Sequence, residues 1–451
     1  MTWIGASLGA ALACALARRC GWRLVDRLVA RTAWTGAGGG WAGCYVLYLG
    51  PMWRSYGTAC AFFLFSVGSI GVAAAVPYGP SGTLGPPGAA LRTCSGVSNC
   101  YVCSPGSCTP SGSWQSRIEN ASPGDTILLQ SGAYTPRGGL SIPGGAADGK
   151  IVIANHNGSA AVIAGPVSIG SGHVLMEGVT VNSPASSFAI HVESRTSTVK
   201  QNIELKNMDI LGGTGEAVRI RGNVRDLTIR NSLLDGGRDN HTIKVLCDDP
   251  SSCSSTPENI TITNNKFSKT RSSFYPASGE DLLQFEGAGN ATVTYNEFGQ
   301  NPNGEDCVDW KSQGRSGTSI LFSFNRVNEC NLQGILFHQG QANGNTTIEG
   351  NYFEGSDQLM RRTHARTKII NNIIDGNQFV ISASSLTLAY NTFMNRGNSL
   401  RFGDTAQGAP QNLTIINNIF SGTGFSCSSV GCGSYTASYN LRHNTSGSFT
   451  C

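Results

Sequence analysis

The side chains best equipped for chemistry lie between Arg219 and Arg362. Glu305-Asp306-x-x-Asp309 places three carboxylates within five residues, and Glu280-Asp281 comes shortly before it. Crowded acids repel one another unless a cation joins them. Donors that are all oxygen suit a hard ion, so Ca²⁺ is expected at Asp281, Glu305, Asp306 and Asp309. Lys311 stands two residues beyond Asp309, ~6.6 Å away on the same face if the segment is a strand. It is the first candidate for a general base. His338 is the second, with an intrinsic pKa better suited to proton transfer. Arg361 is the third, and with Arg362 it is also suited to clamping a carboxylate. Arg219, Arg221 and Lys244 supply cations on the other side of the acids, an arrangement fit to bind several carboxylates of one extended anionic chain. The same residues, scattered, would be an ordinary solvated face with ladder salt bridges.

What would gather them is a repeat. An alternating strand followed by Asn, any residue and an apolar residue recurs along the chain. It reads ITITNNKF up to Phe267, ATVTYNEF up to Phe298, ILFSFNRV up to Val327 and TTIEGNYF up to Phe353. It continues as KIINNII up to Ile374, LTLAYNTF up to Phe393 and LTIINNIF up to Phe420. The aligned asparagines are 265, 296, 325, 351, 372, 391 and 418, so the period varies between 19 and 31 residues. Coils of irregular length with short strands, paired in parallel ~4.8 Å apart, give such a pattern. The fold class is therefore all-β: a right-handed parallel β-helix with a short N-terminal capping helix at Ser113–Glu119. Asn is expected at the turn of each coil, its side chain hydrogen-bonded to the next.

A second strand class lies between these phrases, including EAVRIR from Glu216, HTIKVL from His241, EDLLQFE from Glu280, EDCVDWK from Glu305 and GILFH from Gly334. Alternation turns Val218/Ile220, Ile243/Val245, Leu283/Phe285, Val308/Trp310 and Ile335/Phe337 inward. Phe285, Trp310 and Phe337 then stack as an aromatic ladder. Two outward columns result. One is Arg219, Lys244, Gln284, Asp309 and Leu336. The other is Arg221, Leu246, Glu286, Lys311 and His338.

The segment Ala121-x-Pro123-Gly124-Asp125-Thr126-Ile127-x-Leu129-x-x-Gly132-x-Tyr134 resembles the opening of pectin-lyase-like β-helix proteins. The order of acids resembles the calcium site of family 9 pectate lyases, with Glu305 where that family has Asp. The resemblance implies a lyase that cleaves an acidic polysaccharide such as pectate by calcium-assisted β-elimination. Bound Ca²⁺ would neutralise the uronate carboxylate and a base would remove the C5 proton. In that family the base is a lysine one coil after the acids. Gly334–His338 occupies that place without a lysine. A uronan C5-epimerase shares the first step, and a non-catalytic wall-binding β-helix shares the fold. The Asn-Thr-Asp, Gly-His-Gly and Arg-Ile-Lys signatures of polygalacturonases are missing.

Composition agrees with a turn-rich β protein: 58 glycines and 13% charged residues in 451. Six arginines and one acid lie in residues 1–75, which leaves 26 basic against 27 acidic residues in the rest. The near-neutral body gives no reason to expect nucleic acid. Residues 1–51 are read as a non-native extension or a cytoplasmic tail. Residues 52–75, with Arg54, an apolar run and Ala73-Ala74-Ala75, are read as a signal peptide, or else as a type II anchor, the one route to a membrane. A Cys-rich segment is expected at 76–113, the β-helix at 114–425 and a Cys-containing cap at 426–451. Eleven cysteines follow Ala75, and close pairs such as Cys247/Cys253 and Cys427/Cys432 suit disulfides in an extracellular protein. Eight N-x-S/T sequons make glycosylation an expectation. The protein is expected to act as a monomer.

Overall fold

The computed structural model describes residues 79–80, 92–109, 112–236, 241–248, 253–269, 280–299, 301, 304–311, 318–328, 330–339, 344–355, 357–360, 365–376, 379–381, 385–395, 399–402, 412–422, 424–427 and 434–443. They belong to the compact unit Pro77–Cys451. The expected signal or anchor segment lies outside them. Among the described residues no helix is long and apolar enough to cross a membrane.

The described strands form three long sheets of 15, 13 and 12 members, each taking one strand from successive coils. Nearly every pairing is parallel, as in Thr228↔Thr261↔Thr292 on one sheet and Phe267↔Phe298 on the next. The coils thus stack into a parallel β-helix. They extend beyond 114–425 at both ends. Cys100–Cys103 pairs in parallel with Thr126–Leu129, and Leu441–His443 with Ile419–Ser421. The first coil lacks the Asn phrase, while the last one carries it at Asn440.

The interior is apolar because alternation sends every second side chain inward. Ile229, Ile262, Val293, Phe322, Ile348 and Ile369 follow one another on one sheet, all with no exposed surface. Burying each such side chain contributes about 1.5–3 kcal/mol. Aromatic rings stack between coils, with Phe267 and Phe298 centroids 4.5 Å apart.

Inside one corner the asparagines form the expected ladder. Asn325 Oδ1 accepts from Asn296 N (2.9 Å) and Nδ2 (3.0 Å), while Asn325 Nδ2 donates to Val293 O (2.9 Å). The motif repeats from Asn265 to Asn440. The residue before each rung has a left-handed backbone, φ 56° at both Tyr295 and Phe324. At Gly350 (φ +63°) the Phe324 ring sits 2.6 Å from where a Cβ would be, so only glycine fits there without displacing the ring.

Helix α1 (Trp114–Glu119) starts at Ser113, whose hydroxyl accepts from Ser116 N. Its Trp114 and Ile118 are buried, and Trp114 meets Tyr134 edge-on at 5.2 Å. The helix covers apolar core at the N-terminal end of the stack. Among the described residues four disulfides are formed: Cys94–Cys100, Cys103–Cys108, Cys247–Cys253 and Cys307–Cys330. Cys100 and Cys103 therefore belong to separate bridges. The expected Cys427/Cys432 bridge lies outside the described residues.

Candidate active site

The third sheet carries the chemistry. Its strands here are β1 (Phe188–Ser194), β2 (Glu216–Gly222), β3 (Ile243–Leu246), β4 (Leu283–Glu286), β5 (Val308–Lys311) and β6 (Gln333–Gln339). The register puts His191, Arg219, Lys244, Gln284, Asp309 and Leu336 in one row. Underneath, Phe285 stacks on Trp310 at 4.0 Å and Trp310 on Phe337 at 5.8 Å, the expected ladder.

The second row runs Glu193, Arg221, Leu246, Glu286 and Lys311, and then departs from expectation. Trp310 pairs with Phe337, but Lys311 pairs with Gln339. The register shifts by one, so Gln339 and not His338 continues the row. His338 is the extra residue of a bulge, a device that interrupts the alternation and re-aims a strand. A strict period of two cannot reveal it.

The acids divide into two sets. Asp309 is on the row, 2% exposed, with Oδ2 3.0 Å from Lys311 Nζ and accepting from Gln284 Nε2 at 3.1 Å. Asp281 and Asp306 sit at the approach to β4 and β5 and are buried at 1% and 3% exposure. Asp281 Oδ1 accepts from Asp306 N, and Asp306 Oδ1 from Gln333 N, both at 3.0 Å. This is a second internal ladder, built by acids. Asp281 Oδ2 also accepts from Gln284 Nε2 at 3.2 Å, so that one amide joins Asp281 to Asp309. Glu305 is exposed.

Four further side chains complete the cluster, and the sequence reading gave none of them a role. His241, fully buried, stands below Asp281, with Nε2 2.7 Å from Glu280 Oε2 and Nδ1 3.3 Å from Asp281 Oδ2. Lys269 is 6% exposed and donates to Glu280 O at 2.6 Å. Asn301 Nδ2 donates to Glu280 O and Asp306 O. Gln284 is the joining amide. A signal existed for His241: counted back from Ile243, Leu283, Val308 and Ile335, position −2 reads His241, Asp281, Asp306 and Gln333. Lys269 and Asn301 lie outside the regular strands of this sheet and obey no such count.

The electrostatics follow from the crowding. Burial, reinforced by Asp281, Asp309 and Glu305, pushes Asp306 up to about 8. The hydrogen bond from His241 holds Glu280 down to about 2. Burial alone would lower His241, but Asp281 and Glu280 prevail and raise it. Burial brings Lys269 down to about 8 against the pull of its acidic neighbours. Burial would also lower Lys311, but Asp309, backed by Asp281 and Glu286, raises it. Lys311 is thus held as a cation.

As arranged, these acids do not fit a calcium cage. The oxygens of Asp281 are engaged with Asp306 N, Gln284 and His241, and Asp309 Oδ2 is paired with Lys311. Among the described residues no set of three or more His, Cys, Asp and Glu is disposed to hold a metal ion.

The flanking cations are held in place. Arg219 Nη2 donates to both oxygens of buried Glu216 at 2.9 and 2.7 Å, and Arg221 Nη2 to Asp248 O at 2.6 Å. Lys244 Nζ is 3.8 Å from Glu286 Oε2. Arg361 and Arg362 lie outside the described residues, and of His338 only the backbone is described.

Residues 281–446 match the family described as "Right handed beta helix region". No curated protein sequence matches the chain. Among solved structures, it is similar to a mannuronic-acid-specific polysaccharide family 6 lyase from human gut microbiota. The identity is 15%, over 73% of this chain and 82% of the other, with a TM-score of 0.54. It is also similar to the pectate lyase Pel9A (15% identity, 78% and 80% coverage, TM-score 0.40) and to PfbA, a surface adhesin of Streptococcus pneumoniae (11%, 74% and 88%, 0.41). At such identities the likeness is one of fold. The chain is a right-handed parallel β-helix.

Proposed function

We propose that this protein is an extracellular lyase that binds an acidic, uronate-containing polysaccharide across β2 to β6 and cleaves it by β-elimination. The observation that carries the reading is the cluster around Gln284. Buried titratable groups with displaced pKa values collect under one stretch of the outer face, beside the fixed cations Arg219, Arg221 and Lys244, a combination typical of functional sites. The disulfides suit an oxidising compartment.

In this reading Lys311 and Lys244 face the uronate carboxylate. Their charge stabilises the enolate-like anion that forms as the C5–H bond weakens. Lys311, raised by Asp309, serves as this clamp and not as the base. The base is His338, which the bulge sets apart from the rows and whose residue type is suited to proton transfer near neutral pH. It takes the C5 proton, the electron pair forms the C4=C5 double bond, and the C4–O bond breaks. The leaving oxygen takes a proton from water. Arg361 and Arg362 remain expected clamps.

The test is ultraviolet absorbance of unsaturated chain ends on polygalacturonate and on alginate, with added Ca²⁺ and with chelator. New absorbance on either polymer supports the lyase; none on both, with the fold intact, overturns it. A second reading, a binding protein without catalysis, has one observation in its favour: Arg219, Lys244 and Lys311 are each already paired with an acid. It expects retention on the polymer without new absorbance.

A further inference from the structure

At the N-terminal side of the same face, β1 and β2 assemble an aromatic and cationic cluster distinct from the acids. The His191 ring lies 4.4 Å from the Phe188 ring, inclined at 42°. The Arg219 guanidinium stands 6.0 Å from the Phe188 centroid. Glu216, 1% exposed, fixes Arg219 through two hydrogen bonds from Nη2. His191 Nε2 lies 2.8 Å from Glu193 Oε2, and Arg221 Nε 3.6 Å from the same carboxylate. A fixed, partly exposed guanidinium, an imidazole and a half-buried aromatic ring together match one sugar ring. Its C–H face would rest on the aromatic ring, and its polar edge would meet the charged groups.

The distance to the acid cluster is set by the register. His191 stands in the row of Arg219, Lys244, Gln284 and Asp309, four rungs from the last. At ~4.8 Å a rung this is ~19 Å. Each rung is close to the length of one pyranose in an extended chain, so a polysaccharide running along the row would place successive sugars on successive coils.

We infer that Phe188, His191 and Arg219 form a distal subsite that binds one sugar unit of a chain whose reacting unit lies at β4 and β5. The inference rests on the proposal that this face holds an acidic polysaccharide. It makes the protein selective for chain length: oligomers too short to span the four rungs forgo this contact.

The experiment compares wild type with Phe188→Leu, which keeps an apolar side chain but removes the ring, and with His191→Gln. Binding of uronate trimers and hexamers from polygalacturonate and from alginate is measured by calorimetry, with melting temperatures to verify the fold. Hexamer affinity is expected to fall about tenfold in Phe188→Leu, with trimer affinity unchanged. Equal losses for both lengths, no loss for either, or no binding by the wild type would overturn the subsite. Because binding is read without turnover, a length-dependent loss in a protein that forms no unsaturated ends would leave the subsite standing and remove the lyase.

Discussion

At the scale of single residues, burial and close charged neighbours displace the groups that would do the chemistry. Lys311 is raised by Asp309 and stays cationic, so Lys311→Ala should lower kcat/KM on the polymer by roughly 10²-fold, as removal of one electrostatic stabiliser does. Steady-state kinetics checks this, and unchanged kinetics would remove Lys311 from the site. Asp306 gives a prediction about stability. Its folded-state pKa of about 8 lies above the ordinary value of 3.8, so the folded chain keeps a proton that the unfolded chain releases. Stability from this group is full below about pH 4 and falls as pH rises to about 8. Asp306→Asn keeps an acceptor for Gln333 N–H and has nothing to ionise. It should melt above wild type at alkaline pH and lose less stability on the way there, with chelator present. A wild-type melting temperature indifferent to pH over that interval would contradict the assignment.

At the scale of elements, two devices hold the rungs in register. Asn325→Ala would strand Val293 O and the N–H of Asn296 inside the stack. Each unsatisfied group costs about 1–3 kcal/mol, so urea denaturation should show a loss of several kcal/mol. A loss near zero would mean that the ladder is ornament. The Cys307–Cys330 bridge closes a loop of 23 residues beside Asp306, and its removal by paired Ser substitutions should cost roughly 3 kcal/mol, read in the same denaturation. The Asn ladder was legible in the chain, whereas the Cys307–Cys330 pairing was not. The Asn phrase, the inward pairs from Val218 to Phe337 and the first outward row are all consequences of a strand period of two, which sequence records directly. The bulge at His338 breaks that period without leaving a residue type to betray it. The acids show the other limit. Glu305-Asp306-x-x-Asp309 reads as one cluster, yet Asp309 is carried on β5 while Asp306 turns inward to receive Gln333 N–H. A short string of acids does not record which of them the chain's own backbone will use. Lys269 was invisible because its place depends on where two sheets meet.

At the scale of the whole molecule, the β-helix acts as a ruler. Coils stacked at a constant spacing convert a row of side chains into sites at sugar-length intervals, and the core beneath them, continuous from Trp114 to Phe420, keeps that row straight. A β-helix scaffold does not by itself fix a function, so only chemistry can separate the readings. The most direct measurement follows absorbance from unsaturated chain ends when wild type, Lys311→Ala and His338→Ala are incubated with polygalacturonate and with alginate. The account predicts absorbance growth by wild type on at least one polymer. Both variants should be slowed by about 10²-fold or more, with melting temperatures near that of wild type. Retention of the polymer by wild type without any unsaturated ends would contradict it.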